Sequence, residues 1–178
     1  MVYITSDLHL GHDKDFIYKS RGFDNIYDHD RTIIKNWNEL ITDEDYVYIL
    51  GDIMLGDVDY GCSCFNQLCG LKHIIIGNHD TENKIERYKD LRGVIDINYA
   101  DVLKYHKYSF YLSHYGSLTS NYKPLKKSLI SLCGHTHTTD KFEDWDKGFI
   151  YHCELDAHGM KPINIEDIIK DLEDKYGN

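Results

Sequence analysis

Five short segments of the chain contain residue types that bind divalent metals in proteins. In chain order they are Ser6-Asp7-Leu8-His9, Gly51-Asp52, Gly77-Asn78-His79-Asp80, His114 and Gly134-His135-Thr136-His137. Residues two apart on an extended chain point to the same side, so a carboxylate and an imidazole, or two imidazoles, can bind one ion. Imidazole, carboxylate and amide ligands without a thiolate favour Mn, Fe, Zn, Ni or Co. These segments therefore predict a divalent metal site.

Each segment directly follows a short run of apolar, β-branched and aromatic residues, which predicts a strand. The predicted strands are Val2–Ser6, Tyr46–Leu50, His73–Ile76, Val94–Ile97, Val102–Tyr105, Ser109–Ser113, Leu129–Cys133 and Phe149–Leu155. Helical spacing of apolar residues predicts helices at Asp30–Thr42, Cys62–Cys69 and Glu82–Asp90, and a last helix capped by Asn164. Alternating strands and helices indicate an α/β domain, whose sites gather at the carboxyl ends of strands. We therefore expect the five segments to meet at one rim.

The composition is that of an ordinary globular protein. The 178 residues are 42% hydrophobic and 28% charged, which predicts a single domain over residues 1–178. No apolar run has the length of a membrane span, and the first residues predict a strand rather than an export signal. Five cysteines without such a signal favour reduced thiols and a cytoplasmic location. The spacing of Cys62, Cys64 and Cys69 is not that of a structural zinc site.

The charge balance limits the class of substrate. Twenty basic and thirty acidic residues give a net charge of −10, which disfavours binding of long nucleic acid through a broad basic face. A small phosphorylated substrate stays compatible with this charge, because bound metal supplies positive charge locally. The sequence does not determine the oligomeric state.

The order D-x-H, G-D, G-N-H-D, H, G-H-x-H resembles the calcineurin-like metallophosphoesterase superfamily over roughly residues 1–158, especially its small single-domain bacterial and phage members. The resemblance implies an α/β fold with two mixed β-sheets packed as a sandwich flanked by helices. It also implies two divalent ions, Mn²⁺ foremost, and a hydroxide shared between them as nucleophile. Metal one would be bound by Asp7, His9, Asp52 and His137. Metal two would be bound by Asp52, Asn78, His114 and His135, so that Asp52 bridges the two ions.

Further residues have expected roles beside the ligands. His79 is expected to donate a proton to the leaving alkoxide, and Asp80 either to orient His79 or to turn the chain. His12 is a candidate contact for the substrate phosphate. Tyr115 and Tyr122 are candidate substrate walls because they lie close to His114. The histidines predicted to be ordinary surface, packed or turn residues are His29, His73, His106, His152 and His158.

Three functions are compatible with these motifs. The first is hydrolysis of a small phosphomonoester or phosphodiester, with nucleotides among the candidate substrates. The second is a nuclease of the same superfamily, for which Lys123, Lys126 and Lys127 form the only local basic cluster of the sequence. The third is a non-catalytic interaction module on the same scaffold. Such a module is expected to lose ligands or the proton donor, whereas this chain retains both.

Overall fold

The first of two β-sheets consists mostly of parallel strands. The structure, a computed structural model, describes residues 1–119, 124–143 and 148–177. The strands of this sheet are β1 (Val2–Thr5), β2 (Tyr46–Leu50), β3 (Leu71–Ile75), β4 (Val94–Asn98) and β10 (Ile163–Asn164). Their order is β10-β1-β2-β3-β4, with β1 to β4 parallel and β10 antiparallel to β1. The carboxyl ends of β1, β2 and β3 therefore lie side by side.

The second sheet is mixed. Its strands are β5 (Asp101–Tyr105), β6 (Tyr108–Leu112), β7 (Leu129–Cys133), β8 (Phe142–Glu143) and β9 (Ile150–His152). They are arranged in the order β5-β6-β7-β9-β8. The central strands β6, β7 and β9 are parallel, and both outer strands are antiparallel to their neighbours. The loops that follow β6, β7 and β9 therefore leave the same edge of this sheet.

Helices connect and cover the strands. They are α1 (Asp15–Tyr18), α2 (Ile26–Asn38), α3 (Val58–Phe65), α4 (Glu82–Tyr88) and α5 (Ile165–Tyr176). The predicted cap of the last helix is confirmed, because the Asn164 side chain accepts a hydrogen bond from the backbone N–H of Glu166. Among the described residues, none of the helices has the length and apolar character that crossing a membrane requires.

Two apolar cores hold the layers together. On one face of the first sheet, Val47 and Ile49 pack against helix residues such as Trp37. On the other face, Leu50 and Ile75 pack against residues of the second sheet and against α5. Alternate residues of a strand point to opposite faces, so one buried sheet contributes to both cores. The predicted fold, two mixed sheets packed as a sandwich flanked by helices, is confirmed.

Several element boundaries differ from those predicted. α2 begins at Ile26 rather than Asp30, because Asn25 caps it by accepting a hydrogen bond from the Asp28 N–H. α3 begins at Val58 rather than Cys62, because Asp57 caps it in the same way. The strand predicted at 149–155 ends at His152. Beyond it the chain leaves the second sheet and pairs with Ser6 at the end of β1.

Candidate metal centre

The predicted ligands lie on loops at one end of both sheets. Asp7 and His9 follow β1, Asp52 follows β2, and Asn78 follows β3. The second sheet contributes His114 after β6, and His135 and His137 after β7. Packing of the two sheets face to face brings these loops together, which is the expected position for a site in an α/β fold.

The first cluster of candidate ligand atoms comes from Asp7, His9 and His137. One atom from each residue lies within 4.8 Å of the others. The Nε2 atoms of His9 and His137 are 3.1 Å apart, and they lie 3.9 and 3.6 Å from Asp7 Oδ1. The three atoms therefore face a common point.

The second cluster comes from Asp52, His114 and His135, and again one atom of each lies within 4.8 Å of the others. His114 Nε2 lies 3.2 Å from His135 Nδ1, 3.5 Å from Asp52 Oδ2 and 2.8 Å from Asn78 Oδ1. The other ring nitrogen of His114 lies 2.8 Å from the Leu50 carbonyl oxygen, so it carries the proton and donates it there. Nε2 then presents a lone pair toward the amide oxygen, an arrangement that a cation between them would stabilise.

Asp52 lies between the two clusters. Its Oδ2 is 3.5 Å from His114 Nε2 in the second cluster and 3.9 Å from His9 Nε2 in the first. Its Oδ1 accepts a hydrogen bond from the backbone N–H of His79 at 2.9 Å, which fixes the orientation of the carboxylate. One oxygen of Asp52 therefore faces ligand atoms of both clusters.

The environment of Asp7 tests whether these residues fit a metal. The side chain is buried, and its Oδ2 accepts hydrogen bonds from Ser6 Oγ at 2.6 Å and the His135 N–H at 2.8 Å. Its Oδ1 has no hydrogen-bond partner among the described residues, and burial raises the pKa of Asp7 to about 6. An unpaired buried carboxylate oxygen is costly unless a cation neutralises it. The group therefore fits a bound cation.

Two histidines of the clusters, His9 and His135, are held in the neutral form that binds metal. Burial lowers the pKa of His9, and also that of His135, which the neighbouring His114 lowers further. An imidazole with a lowered pKa stays neutral and keeps a lone pair for a metal. The pKa of His137 is raised instead, because its contacts with Asp156 and Asp7 outweigh the opposing effect of burial.

Backbone strain is concentrated at the ligands. The residues with positive φ include Asp7, His9, Asp52, His135 and His137, with φ between 50° and 77°. The left-handed region is unfavourable for residues with a side chain and persists where surrounding contacts hold it. Backbone hydrogen bonds of 3.0 Å supply such contacts here, from Asp7 N to Gly51 O and from His9 N to Asp52 O.

Two glycines allow the ligand loops to approach closely. A Cβ atom at Gly134 would lie 2.0 Å from Ser6 Oγ and 2.2 Å from Asp7 Oδ2. A Cβ atom at Gly77 would lie 2.3 Å from Asp52 Oδ1. Any side chain at these positions would occupy space that the carboxylates need. The glycines that precede the ligands in the sequence motifs therefore have a steric role.

His79 lies at the rim of the site, outside both clusters. Its side chain is 42% exposed, and its Nε2 is 4.0 Å from Asp52 Oδ2. The His79 and His9 rings are 5.8 Å apart between centroids. The imidazole is therefore next to the ligands and accessible from solvent.

The structure corrects the expectation that Asp80 orients His79. Asp80 Oδ2 accepts hydrogen bonds from the N–H groups of Asp52 and Gly77, at 2.9 and 2.8 Å. Its Oδ1 accepts one from the Tyr88 hydroxyl at 2.7 Å. Among the described residues, these partners do not include the His79 ring. Asp80 instead joins the loops after β2 and β3, which carry ligands of the second cluster.

His12 lies directly against a ligand. It is buried, and its Nδ1 is 3.1 Å from His9 Nδ1. Burial lowers the pKa of His12 to about 4, so the ring is neutral at pH 7. The His12 ring therefore lacks the positive charge of a phosphate-binding group. Its contact with His9 Nδ1 holds the His9 ring with the His9 Nε2 atom toward the site. Contact of His12 with a substrate phosphate stays a prediction.

Exposed aromatic rings flank the site. Tyr115 is 52% exposed and packs edge-on against His135, with ring centroids 4.6 Å apart. Phe16 is exposed and packs edge-on against His12, which contacts His9 of the first cluster. Tyr122, the second predicted substrate wall, lies outside the described residues, as does Lys123.

Sequence reasoning missed the residues that surround the ligands. The side chain of Arg21 is 1% exposed and donates hydrogen bonds to Asp156 and to the backbone carbonyl of Asp7. Burial opposes the ionisation of Asp156, but its bonds to His137 and Arg21 outweigh that effect and lower its pKa to about 2. Asp156 closely follows β9, so the rule that located the ligands could have identified it. Arg21 belongs to no periodic pattern and gave no such signal.

Comparisons with known proteins agree with this geometry. A family model, the calcineurin-like phosphoesterase superfamily domain, matches residues 1–153. An uncharacterized protein of Methanocaldococcus jannaschii is 28% identical over 177 residues, which cover 97% of this chain and 91% of that protein. The Gene 66 protein of Mycobacterium phage D29 is 29% identical over an alignment 200 residues long with gaps included, which covers 97% of this chain and 98% of that protein.

The fold also matches a solved structure. The crystal structure of a protein of unknown function from Aquifex aeolicus superposes with a TM-score of 0.72 at 20% identity, over 96% of this chain and 98% of that one. This likeness concerns the fold alone. The family model spans most of the chain and begins before the first ligand motif. This protein belongs to the calcineurin-like phosphoesterase superfamily.

Proposed function

We propose that this protein is a phosphoesterase that hydrolyses a small phosphomonoester or phosphodiester at a pair of divalent ions. The observation that carries the proposal is the position of Asp52 Oδ2, which faces ligand atoms of both clusters. In this proposal Asp7, His9, Asp52 and His137 bind one ion, and Asp52, Asn78, His114 and His135 bind the other. Mn²⁺ is the first candidate, and Fe, Zn, Ni and Co suit the same ligands.

The two ions would supply a positive clamp for the phosphoryl group and the acidity that yields a hydroxide at neutral pH. The chain supplies the ligand geometry. The buried carboxylate of Asp7 is fixed by hydrogen bonds from Ser6 and His135 to Oδ2. The buried carboxylate of Asp52 is fixed by a hydrogen bond from the His79 N–H to Oδ1. Each carboxylate thereby keeps its other oxygen directed at the site. Ligands held in this way need little reorganisation during the reaction.

His79 is the proposed proton donor to the leaving oxygen. Its imidazole is 42% exposed at the rim of the site, with Nε2 4.0 Å from Asp52 Oδ2, and its backbone is held at two points. The His79 N–H donates to Asp52 Oδ1, and Lys84 Nζ donates to the His79 carbonyl oxygen at 2.8 Å. A positioned imidazole typically contributes about 10²- to 10⁴-fold as a general acid.

A small substrate is favoured over a long nucleic acid. The net charge of −10 opposes a polyanion that must lie along the surface, whereas the charge of the metals acts over a short distance. Tyr115 offers an exposed ring beside His135 for the organic part of a small ester. The five cysteines are free thiols, which suits the proposed cytoplasmic location.

The proposal is tested by metal-dependent turnover. Protein stripped with a chelator and reloaded with Mn²⁺ is expected to cleave p-nitrophenyl phosphate, bis-p-nitrophenyl phosphate or both. Asp52→Asn is expected to reduce kcat at least about 1,000-fold, because both ions lose a charged ligand. Asp43→Asn is the control, since Asp43 is a surface residue paired with Arg92. Protein that holds two ions and cleaves no phosphomonoester or phosphodiester would contradict the proposal.

A further inference from the structure

A buried arginine lies directly behind the first cluster of ligands. Arg21 stands between α1 and α2, and its side chain is 1% exposed. Its Nε and Nη2 atoms donate to the two carboxylate oxygens of Asp156 at 3.0 and 2.7 Å. Its Nη2 also donates to the backbone carbonyl oxygen of Asp7 at 2.8 Å. One side chain therefore contacts both a ligand loop and an acidic residue from a distant part of the chain.

Asp156 connects this arginine to a ligand. Asp156 Oδ2 lies 3.5 Å from His137 Nδ1, while His137 Nε2 belongs to the first cluster. A carboxylate beside one ring nitrogen holds the proton there and leaves the lone pair on the other nitrogen for the metal. Arg21 fixes the carboxylate through two parallel hydrogen bonds, a geometry that a lysine cannot reproduce.

Arg21 is also connected, through His29 and Asp30, to Gly11 at the far end of the loop that carries Asp7 and His9. Its Nη1 lies 3.0 Å from His29 Nε2, and His29 Nδ1 lies 2.7 Å from Asp30 Oδ1. Asp30 Oδ2 accepts the Gly11 N–H at 2.8 Å. One tautomer of His29 satisfies both contacts, with Nδ1 donating to Asp30 and Nε2 accepting from Arg21. The loop that carries Asp7 and His9 is thus held at both ends by one buried network.

The second cluster is oriented by different groups. His114 Nδ1 donates to the Leu50 carbonyl oxygen, a backbone group of β2. Arg21 donates to the Asp7 carbonyl oxygen, and Asp156 Oδ2 lies beside His137 Nδ1, so the contacts of this pair are with residues of the first cluster. Arg21 and Asp156 therefore act directly on the first cluster, whereas a backbone group of β2 orients His114 in the second.

We propose that Arg21 and Asp156 are positioning residues that set the affinity of the first metal site, formed by Asp7, His9, Asp52 and His137, and leave the second site unaffected. This inference rests on the paired metal centre of the proposed function. According to this inference, a substitution outside the ligand set can weaken the binding of one ion without changing the affinity for the other. Outer partners of this kind typically contribute about 10- to 100-fold to metal affinity.

Metal titration of the full chain tests the inference without an activity assay. Wild-type protein is expected to bind two equivalents of Mn²⁺ by calorimetry and to give the electron paramagnetic resonance spectrum of a spin-coupled pair. Asp156→Asn removes the charge and keeps the shape of the side chain. It is expected to retain one equivalent with unchanged affinity and to weaken the other about 10- to 100-fold. At one equivalent of metal it should show the six-line spectrum of isolated Mn²⁺.

A second variant and a matched control complete the test. Arg21→Lys keeps the positive charge and loses the paired hydrogen bonds, so it should show the same selective weakening. Arg92→Lys is the control, because Arg92 donates to both oxygens of Asp43 at 2.8 Å on the surface. Thermal unfolding in chelator reports whether each variant is folded.

The outcomes separate this inference from the proposed function. Equal weakening of both equivalents in the folded variants, or no weakening of either, would overturn the inference. Wild-type protein that binds two ions but cleaves no phosphoester would overturn the proposed function and leave the result for Asp156 intact. Wild-type protein that binds fewer than two ions would overturn both.

Discussion

At the scale of single residues, the site contains polar atoms that lack a suitable hydrogen-bond donor among the described residues. Asp7 keeps one buried oxygen without a hydrogen bond among the described residues, and His114 directs a lone pair toward Asn78 Oδ1. Both arrangements cost free energy in the metal-free protein. The residues of the site are therefore arranged for a bound cation. In the metal-free protein, the cost of these unpaired atoms should be measurable as a lower free energy of unfolding.

Asp7→Asn is expected to stabilise the metal-free protein and to abolish its stabilisation by metal. The amide oxygen can still accept from Ser6 Oγ and the His135 N–H, while the unpaired buried charge is removed. In chelator, we expect the free energy of unfolding to rise by about 1–3 kcal/mol at pH 7.5. Thermal unfolding with and without Mn²⁺ measures both effects. A variant less stable than wild type in chelator and still stabilised by Mn²⁺ would contradict this explanation.

The same pair of proteins should differ less at lower pH. The folded-state pKa of Asp7, about 6, is raised above the ordinary value of 3.8. Its contribution to the stability of the metal-free protein is therefore fully present below about pH 4 and is lost as pH rises through 6. We expect the stability advantage of Asp7→Asn in chelator to shrink between pH 7.5 and pH 5. If the stability advantage of Asp7→Asn instead grows as the pH falls from 7.5 to 5, the raised pKa of Asp7 is not its cause.

His79→Ala tests the proton donor. A general acid matters most when the leaving oxygen is strongly basic, so cleavage of an alkyl phosphoester should fall about 10²- to 10⁴-fold. Cleavage of the p-nitrophenyl ester of the same class should fall much less, because that leaving group needs little protonation. His73→Ala is a histidine control, since His73 pairs with Asp96 on the first sheet. Equal losses for both esters would exclude His79 as the donor.

At the scale of elements, local sequence predicted most strands and failed where distant contacts decide. β2 and β7 begin and end as predicted, because their apolar runs are bounded by turns. The start of α2 was predicted at Asp30, but the helix begins at Ile26, where Asn25 accepts the Asp28 N–H. Asp80 was predicted either to orient its neighbour His79 or to turn the chain, and its carboxylate joins the loops after β2 and β3. This role of Asp80 depends on tertiary hydrogen bonds, which the local sequence does not indicate.

Gly134→Ala tests how closely the loop after β7 must approach the loop after β1. The added Cβ would lie 2.0 Å from Ser6 Oγ and 2.2 Å from Asp7 Oδ2, so one loop must move. We expect a loss of at least about 2 kcal/mol in the free energy of unfolding and weaker Mn²⁺ binding. Gly116→Ala is the control, because its nearest atom, Cys133 Sγ, would be at an ordinary 3.5 Å. Similar stability losses in the two variants would show that close approach is not the cause.

At the scale of the whole molecule, each sheet carries part of the ligand set. Loops of the first sheet carry Asp7, His9, Asp52 and Asn78, and loops of the second carry His114, His135 and His137. The packing of the two sheets therefore sets the distances within each cluster of candidate ligands. The cluster residues could be identified from the sequence because polar residues after strands are a local signal. The network around Arg21 was not, because it joins residues far apart in the chain that share no periodic pattern.

The most direct test of the central claim is anomalous X-ray diffraction from crystals of the Mn²⁺-loaded protein. We predict two anomalous peaks about 3.5–4 Å apart. One should lie among Asp7, His9, Asp52 and His137, and the other among Asp52, Asn78, His114 and His135. A fully loaded crystal with a single peak, or with peaks that Asp52 does not bridge, would contradict the paired metal centre on which the proposed activity depends.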